Sequence, residues 1–490
     1  MLHVNQLTIS GKRPTIFKVV AAAFFSLSTL LSSAILPTQV AAQSDASDTS
    51  DLYDGGKARV NRSAGLRALS EAVASASCRL GNGIDTDSSQ QALEGAVSQF
   101  NATLAALEGG NATLGIPTVE TRARTLTAIE NTLLAWAPIA APASRLVSGE
   151  WSEEDVQKIS SSYAALFEQT VVLAAEISGQ YSNPQELLQS DATVLNFAGR
   201  QRALAQRMSR AMCELATGTG MDDTVDELAE TVDLFERTLV ALISGFPAAG
   251  ITEPPNDTVT ESLELTLADW QEGRGLFDGA LTGEEPSIDD VIAATELTDK
   301  LTVDMNNTIT LYLIASPGKD GIYRVPLEAY IDDELSNWLT NPALINAIKE
   351  QNTAHANLTE EEVIALDQEW RAEAGAGGGA LITELLEHPV SEWLRGQQTA
   401  TAGFVTEVFV MDNKGLNVAQ SAETSDYWQG DEAKWQETYQ VGPDTLHISE
   451  VEFDDSTGFY QVQASLSISD PDTNGVIGAV TFGINIQNLM

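Results

Sequence analysis

Apolar residues recur at three- and four-residue spacing from about residue 58 to about residue 316, which predicts eight helices. Four run over about 58–80, 88–108, 119–148 and 152–180, and four over about 188–216, 222–246, 257–280 and 286–316. Asn183-Pro184 separates the two sets, and Gly218 with Gly220 closes the first helix of the second set. Helical spacing continues over about 326–350 and 359–388, interrupted by Gly375-Ala376-Gly377-Gly378-Gly379. Alternation then predicts five antiparallel strands, at about 404–411, 416–420, 446–453, 458–467 and 476–485. A short helix is expected at 431–439, with turns at 412–415, Asp454-Asp455-Ser456 and 471–475. The expected fold is therefore multidomain. Two all-α four-helix bundles stand in tandem, at 58–182 and 185–317, before a C-terminal α+β domain at 325–490 with an antiparallel sheet.

The two helical sets repeat each other at a shift of 135 residues. The shift pairs Asn61 with Asn196, Arg67 with Arg202, Leu69 with Leu204, Cys78 with Cys213 and Gly83 with Gly218. It also pairs Phe100 with Phe235, and a shift of 134 pairs Trp136 with Trp270. Each first helix carries an apolar seam and a second seam of small and polar residues. In the first copy the second seam is Ser63, Arg67, Ser70, Ala74 and Cys78; in the second it is Ala198, Arg202, Ala205 or Gln206, Ser209 and Cys213. Four antiparallel helices return the chain to its starting end, so the two first helices should run parallel. Equivalent residues then meet at equal height, with the arginines about 16 Å from the cysteines along the axis.

That arrangement predicts a Cys78–Cys213 disulfide, with two buried free thiols as the alternative. It also sets Arg67 against Arg202. Two guanidinium groups facing each other call for an oxyanion between them, or for an acid from another helix. Arg200, Arg202, Arg207 and Arg210 crowd one helix of an otherwise acid-rich chain. For Arg200, Arg207 and Arg210 the alternative is a solvated face paired with nearby glutamates.

Charge narrows the field. With 26 basic and 70 acidic residues in 490 the net charge is −44, which disfavours nucleic acid and anionic lipid as partners. Lys12, Arg13 and Lys18 precede an apolar run at 19–36, Pro37 breaks it, and Val40-Ala41-Ala42 offers small residues for cleavage. This reads as a signal peptide over 1–42 removed after Ala42, followed by a flexible leader over 43–57; an uncleaved anchor is the alternative. Removal of three basic residues would take the charge to −47. The expected location is periplasmic or secreted, without membrane insertion. Four histidines in no metal spacing, and no phosphate loop or dinucleotide fingerprint, leave no catalytic, metal or cofactor site to expect. A non-enzyme is expected.

The run Asn196 to Met212, NFAGRQRALAQRMSRAM, resembles the first-helix motif of PilJ/NarX-type sensor domains, the extracytoplasmic inputs of type IV pili chemotaxis transducers and nitrate sensor kinases. The first copy keeps Arg67 and Leu69 but has Glu71-Ala72 where the second has Gln206-Arg207. The resemblance implies an anion, nitrate-like, bound between Arg67 and Arg202, with Arg200, Gln206 and Arg207 as further ligand candidates. Here both arginines lie in one chain, so the family's dimer would be internal. The segment VFVMDNKGLNVAQSAETSDYWQGDEAKW at 408–435 is similar to Cache (PAS-like) sensor domains. That likeness implies a second small-molecule pocket near Tyr427, Trp428, Asp431 and Trp435; the alternative is that Trp428 and Trp435 cap the sheet. No output domain follows Met490, so the expected partner is a separate membrane receptor, kinase or chemotaxis transducer. The competing expectation is a structural or adhesin-like accessory protein of a surface apparatus that binds no ligand.

Overall fold

The structure is a computed structural model that describes residues 54–182, 189–220, 223–315, 323–454 and 459–490. The expected signal peptide, most of the expected leader, the Asn183-Pro184 break and the Asp455-Ser456 part of the expected turn lie outside the described residues.

The helical part comprises α1 (Gly56–Gly81), α2 (Thr86–Gly109), α3 (Ala123–Ser148), α4 (Glu153–Tyr181), α5 (Gln189–Thr217), α6 (Thr224–Ser244), α7 (Asp257–Gly273), α8 (Asp278–Leu281) and α9 (Ile288–Ala315). Local chemistry sets their ends. Ser152 and Asp155 form a reciprocal capping box at the start of α4, and the Asn256 side chain caps α7. Gly149 closes α3 at φ 76°, a left-handed turn that residues with a Cβ adopt only at a cost. α1 packs on α2, α4 and α5, while α5 packs on α1, α6 and α9. Both helices are therefore covered on several sides.

The duplication extends to fine detail. Phe100 packs on Trp136 at 4.4 Å and Phe235 on Trp270 at 4.9 Å. The Trp136 indole N–H donates to Asn101, and that of Trp270 to Glu236, 135 residues on from Asn101. Isolated bridges Asn111–Ile116 and Phe246–Ile251 repeat at the same shift.

The C-terminal region contains α10 (Arg324–Tyr330), a π-turn (Ile331–Leu335), α11 (Ser336–Trp338), α12 (Pro342–Ala354), α13 (Glu360–Gly375), α14 (Ala380–Leu386) and α15 (Pro389–Ala400). β1 (Val405–Met411), β2 (Asn417–Gln420), α16 (Ala433–Gln436), β3 (Leu446–Ile448), β4 (Glu452–Asp454), β5 (Phe459–Ser469) and β6 (Val476–Asn485) follow. All strand pairs are antiparallel, in the order β2-β1-β6-β5-β3, with β4 also on β5. The chain is thus mostly helical with one antiparallel sheet near its C-terminus.

Two expectations need correction. The strand expected at 446–453 is two strands, because the Ser449 hydroxyl, not a main-chain carbonyl, accepts the Gln463 N–H and interrupts the ladder. The helix expected at 326–350 is broken before Pro342, which starts a new helix capped by the Asn341 side chain.

The turn between β1 and β2 depends on Gly415. It sits at φ 82°, and a Cβ there would run into the backbone of Gly430. Gly415→Ala should cost about 1–3 kcal/mol, read as a lowered urea midpoint; an unchanged midpoint would show that this loop adjusts freely.

Candidate functional site: an arginine pair in the helix seam

α1 and α5 lie parallel and in register. Cys78 and Cys213 form a disulfide with Cα atoms 6.3 Å apart, and the Ser75 and Ser209 hydroxyls meet at 2.9 Å. Small residues at the contact, Ala64 and Gly199 among them, let the helices approach closely.

Near the middle of both helices, on the N-terminal side of the disulfide, the seam holds Arg67 and Arg202. Their hydrogen bonds are reciprocal across the pseudo-two-fold: Arg67 Nη2 donates to the Asn196 carbonyl at 3.3 Å, and Arg202 Nη2 to the Asn61 carbonyl at 3.4 Å. Arg202 also donates to Asn61 Oδ1 at 3.2 Å and to Asn306 Oδ1 on α9 at 2.8 Å. A Cβ placed on Gly199 would lie 3.3 Å from Arg202 Nη2 and 3.5 Å from Arg67 Nη2. The two guanidinium groups thus flank one point and lie within about 7 Å of each other. Charges so placed repel by roughly 2 kcal/mol at an effective dielectric of about 20.

No described carboxylate pairs with Arg67 or Arg202, so an acid from another helix does not account for them. Their partners are neutral amide oxygens, and the buried Arg202 Nε–H has no acceptor. Arg62 lies nearby and donates to the Leu114 and Asn488 carbonyls. Burial, followed by the charges of Arg67 and Arg62, pulls the Arg202 guanidinium down to about 9. Burial, with Arg200 as a second cause, takes Arg67 down to about 10, and burial alone takes Arg62 to about 10. Arginine side chains hold their protons in proteins. Burial and like charge thus both work against the charged guanidinium groups in this seam.

Gln206, Arg207 and Arg210 are held by other side chains. Gln206 donates to Asp299 and Thr302 on α9. Arg200 is half-buried beside Arg67 and Arg207. Arg207 bonds Glu71 at 2.8 Å. Arg210, expected on a solvated face, is fully buried and holds three glutamates: Glu71 at 2.9 Å, Glu214 at 2.5 Å and Glu227 at 2.7 Å. Glu71, where the first copy departs from the motif, is shared by both arginines, as is Glu227. Sequence reasoning missed Arg62 and Asn306. The repeat sets Arg62 opposite Phe197, so it gave no signal.

In the C-terminal region Tyr427 and Trp428 belong to one apolar cluster with Trp370, on which Tyr427 stacks at 5.5 Å. Trp435 belongs to another, with Phe409, Met411 and Tyr439 over the sheet. Asp431 is exposed. Tyr427 and Trp428 thus pack in one apolar cluster and Trp435 in another. The indole N–H groups of Trp428 and Trp435 bind the Lys414 and Asp412 carbonyls.

The turn after β6 reaches back to the arginines. Asn61, whose side-chain oxygen takes Arg202, donates its amide to the Met490 carbonyl at 3.1 Å. Gln487 donates to Asn307, the neighbour of the Asn306 that holds Arg202. Among the described residues no helix is long and apolar enough to cross a membrane, and no group of three or more His, Cys, Asp or Glu could hold a metal.

No curated protein matches the chain. Among solved structures it is similar to the ligand-binding domain of the Campylobacter jejuni chemoreceptor Tlp3. For the complex with 4-methylisoleucine the identity is 16% over 35% of this chain and 64% of that one, with a TM-score of 0.17. For the L-valine complex the identity is 14% over 35% and 68%, again with a TM-score of 0.17. The chain thus spans less than two thirds of the first of these structures. Residues 186–292, from α5 into the start of α9, match the family of type IV pili methyl-accepting chemotaxis transducer N-terminal domains. The helical stretch that carries Arg202 is accordingly similar to the N-terminal part of a chemotaxis transducer.

Proposed function

We propose that the protein is a periplasmic small-ligand sensor. It binds a small oxyanion, nitrate-like in size and charge, between Arg67 and Arg202, and reports to a separate membrane receptor, kinase or chemotaxis transducer. The observation that carries this reading is the pair of buried guanidinium groups without a carboxylate partner. Two bundles in tandem, joined seam to seam, supply the two halves of the site. The C-terminal domain, Cache-like in layout, is the element that registers occupancy, through Asn61 and the turn at 486–490. The likeness of residues 186–292 to a transducer input domain supports the sensory role.

A thermal-shift panel of sodium nitrate, nitrite, sulfate and phosphate, against chloride at equal ionic strength, tests it. An anion at 100 times its Kd adds about 2.7 kcal/mol, a rise of several degrees. Arg202→Ala should lose that rise. Gly199→Ala should also lose it, because its methyl lands within 3.5 Å of both guanidinium groups. A wild-type protein that responds to none of the four anions overturns the proposal.

A further inference from the structure

We propose that a second ligand site, for a small organic monocation such as a protonated amine, lies at the disulfide end of the α1–α5 seam. It is independent of the arginine pair, which lies about three helical turns away.

The seam opens there into a cleft of about 480 Å³ between α1, α4 and the chain leaving α5. Ala74, Ser77 and Cys78 line it from α1, Ile159 and Tyr163 from α4, and Glu214 from α5. Its size suits a small ligand. Two observations point to an occupant. Ser77 is 1% exposed, yet its hydroxyl has no hydrogen-bond partner, so a buried polar group on the cleft wall is left waiting for one. The charge beside it is also unbalanced. Arg207 and Arg210 are shared among Glu71, Glu214 and Glu227, which leaves one negative charge over. Glu71 is sealed behind both arginines, and Glu214 is the acid on the cleft wall.

The repeat shows what a closed version looks like. At a shift of 135 residues Ser77 corresponds to Met212, which is 1% exposed, and Glu214 corresponds to Arg79. Only the α4 side therefore combines a small hydroxyl with an acid. An ammonium group set against Glu214, with a hydroxyl or carbonyl on Ser77 and an aliphatic body over Ile159, satisfies both. The chain's charge of −44 draws cations towards such a cleft.

Burial, with the charges of Glu227 and Glu71, pushes the Glu214 carboxyl up to about 7 against the pull of Arg210. Glu71 faces it from α1, Tyr163 from α4, Glu227 from α6, and Arg210 from its own helix. Protonation of Glu214 removes the surplus charge, so cation affinity should weaken as pH falls below about 7.

The test titrates the full chain by calorimetry with ethanolamine, n-butylamine and 1,4-diaminobutane, against ethylene glycol and n-butanol as uncharged counterparts. At pH 8 at least one amine should bind and the alcohols should not. Affinity should fall several-fold between pH 8 and pH 6. Glu214→Gln and Ser77→Met should each abolish binding while keeping the wild-type helical circular dichroism. Ser77→Met guards against a folding failure in the first variant, since it installs the residue the other repeat already carries. The proposal is overturned if no amine binds at pH 8, or if binding persists in Ser77→Met.

Discussion

Arg210→Met should destabilise the protein by about 3–5 kcal/mol, the range for breaking a buried ion pair on one side. Arg210 is fully buried, and its guanidinium is shared among Glu71, Glu214 and Glu227 while lying 4.4 Å from the centre of the Tyr163 ring. Methionine fills much of the same volume. What it removes is the counter-charge, leaving Glu71 with Arg207 alone and Glu214 with none. The loss should depend on pH. In the folded protein Glu214 titrates near 7, above its ordinary value, so the fold favours its protonated form. Its contribution to stability is greatest below the unfolded value and declines as pH rises towards 7. Without Arg210 that decline steepens, and the variant should lie closer to wild type at pH 5 than at pH 8. Guanidinium melts at both pH values measure this. Adding Glu71→Gln to the variant should recover part of the loss, because it removes the stranded charge. A cost below about 1 kcal/mol at pH 8 would mean that the network does not hold α1, α5 and α6 together.

Arg210 also marks where sequence reasoning stops. Periodicity located seven of the eight expected N-terminal helices within a few residues, because each places a regular apolar stripe against its neighbours, while the one expected at 257–280 is divided into α7, a 3-10 turn at Arg274–Phe277 and α8. The repeat gave the parallel register of α1 and α5, and with it the meeting of Cys78 with Cys213 and of Arg67 with Arg202. It could not say which faces of α5 stay wet. A helix enclosed by α1, α6 and α9 has little solvated surface, so Arg207 and Arg210, polar by type, are turned inward and matched by acids. That matching is a tertiary fact. Glu71 lies 139 residues from Arg210, and nothing in either local pattern points to the other. In the C-terminal region the alternation of strands was legible. The placement of Tyr427 and Trp435 in separate clusters was not, because aromatic residues suit a pocket and a packed sheet face equally well.

On the proposed function, the neutral partners of Arg202 would give the seam a means of being read at a distance. Asn61 and Asn306 hold the guanidinium with side-chain oxygens, and Asn61 and Asn307 also hold the turn after β6. An anion drawing Arg202 towards Arg67 would compete with those oxygens and loosen the same asparagine that bonds Met490. Only a ligand that prefers one of the two arrangements can shift this balance. The reciprocal consequence is that a partner engaging the C-terminal turn should change anion affinity by the same factor.

Replacing both cysteines, Cys78→Ser with Cys213→Ser, should cost about 3–5 kcal/mol, because the bridge closes a separation of 135 residues. The cost arises mainly in the unfolded chain, which regains the freedom the bridge removes. In the folded state α1 and α5 are still held by the Ser75–Ser209 contact, by the Glu71 pairs to Arg207 and Arg210, and by Arg67 and Arg202 themselves. Two outcomes therefore separate. The guanidinium midpoint should fall sharply in the double variant, and in the wild type after reduction. At temperatures below its melting point, the double variant should keep any anion response of the wild type, because the arginines stand about 16 Å along the seam from the sulfurs. If the response vanishes while the helical content stays intact, the bridge is setting the helix register at the arginines, and the remaining contacts do not suffice to hold it.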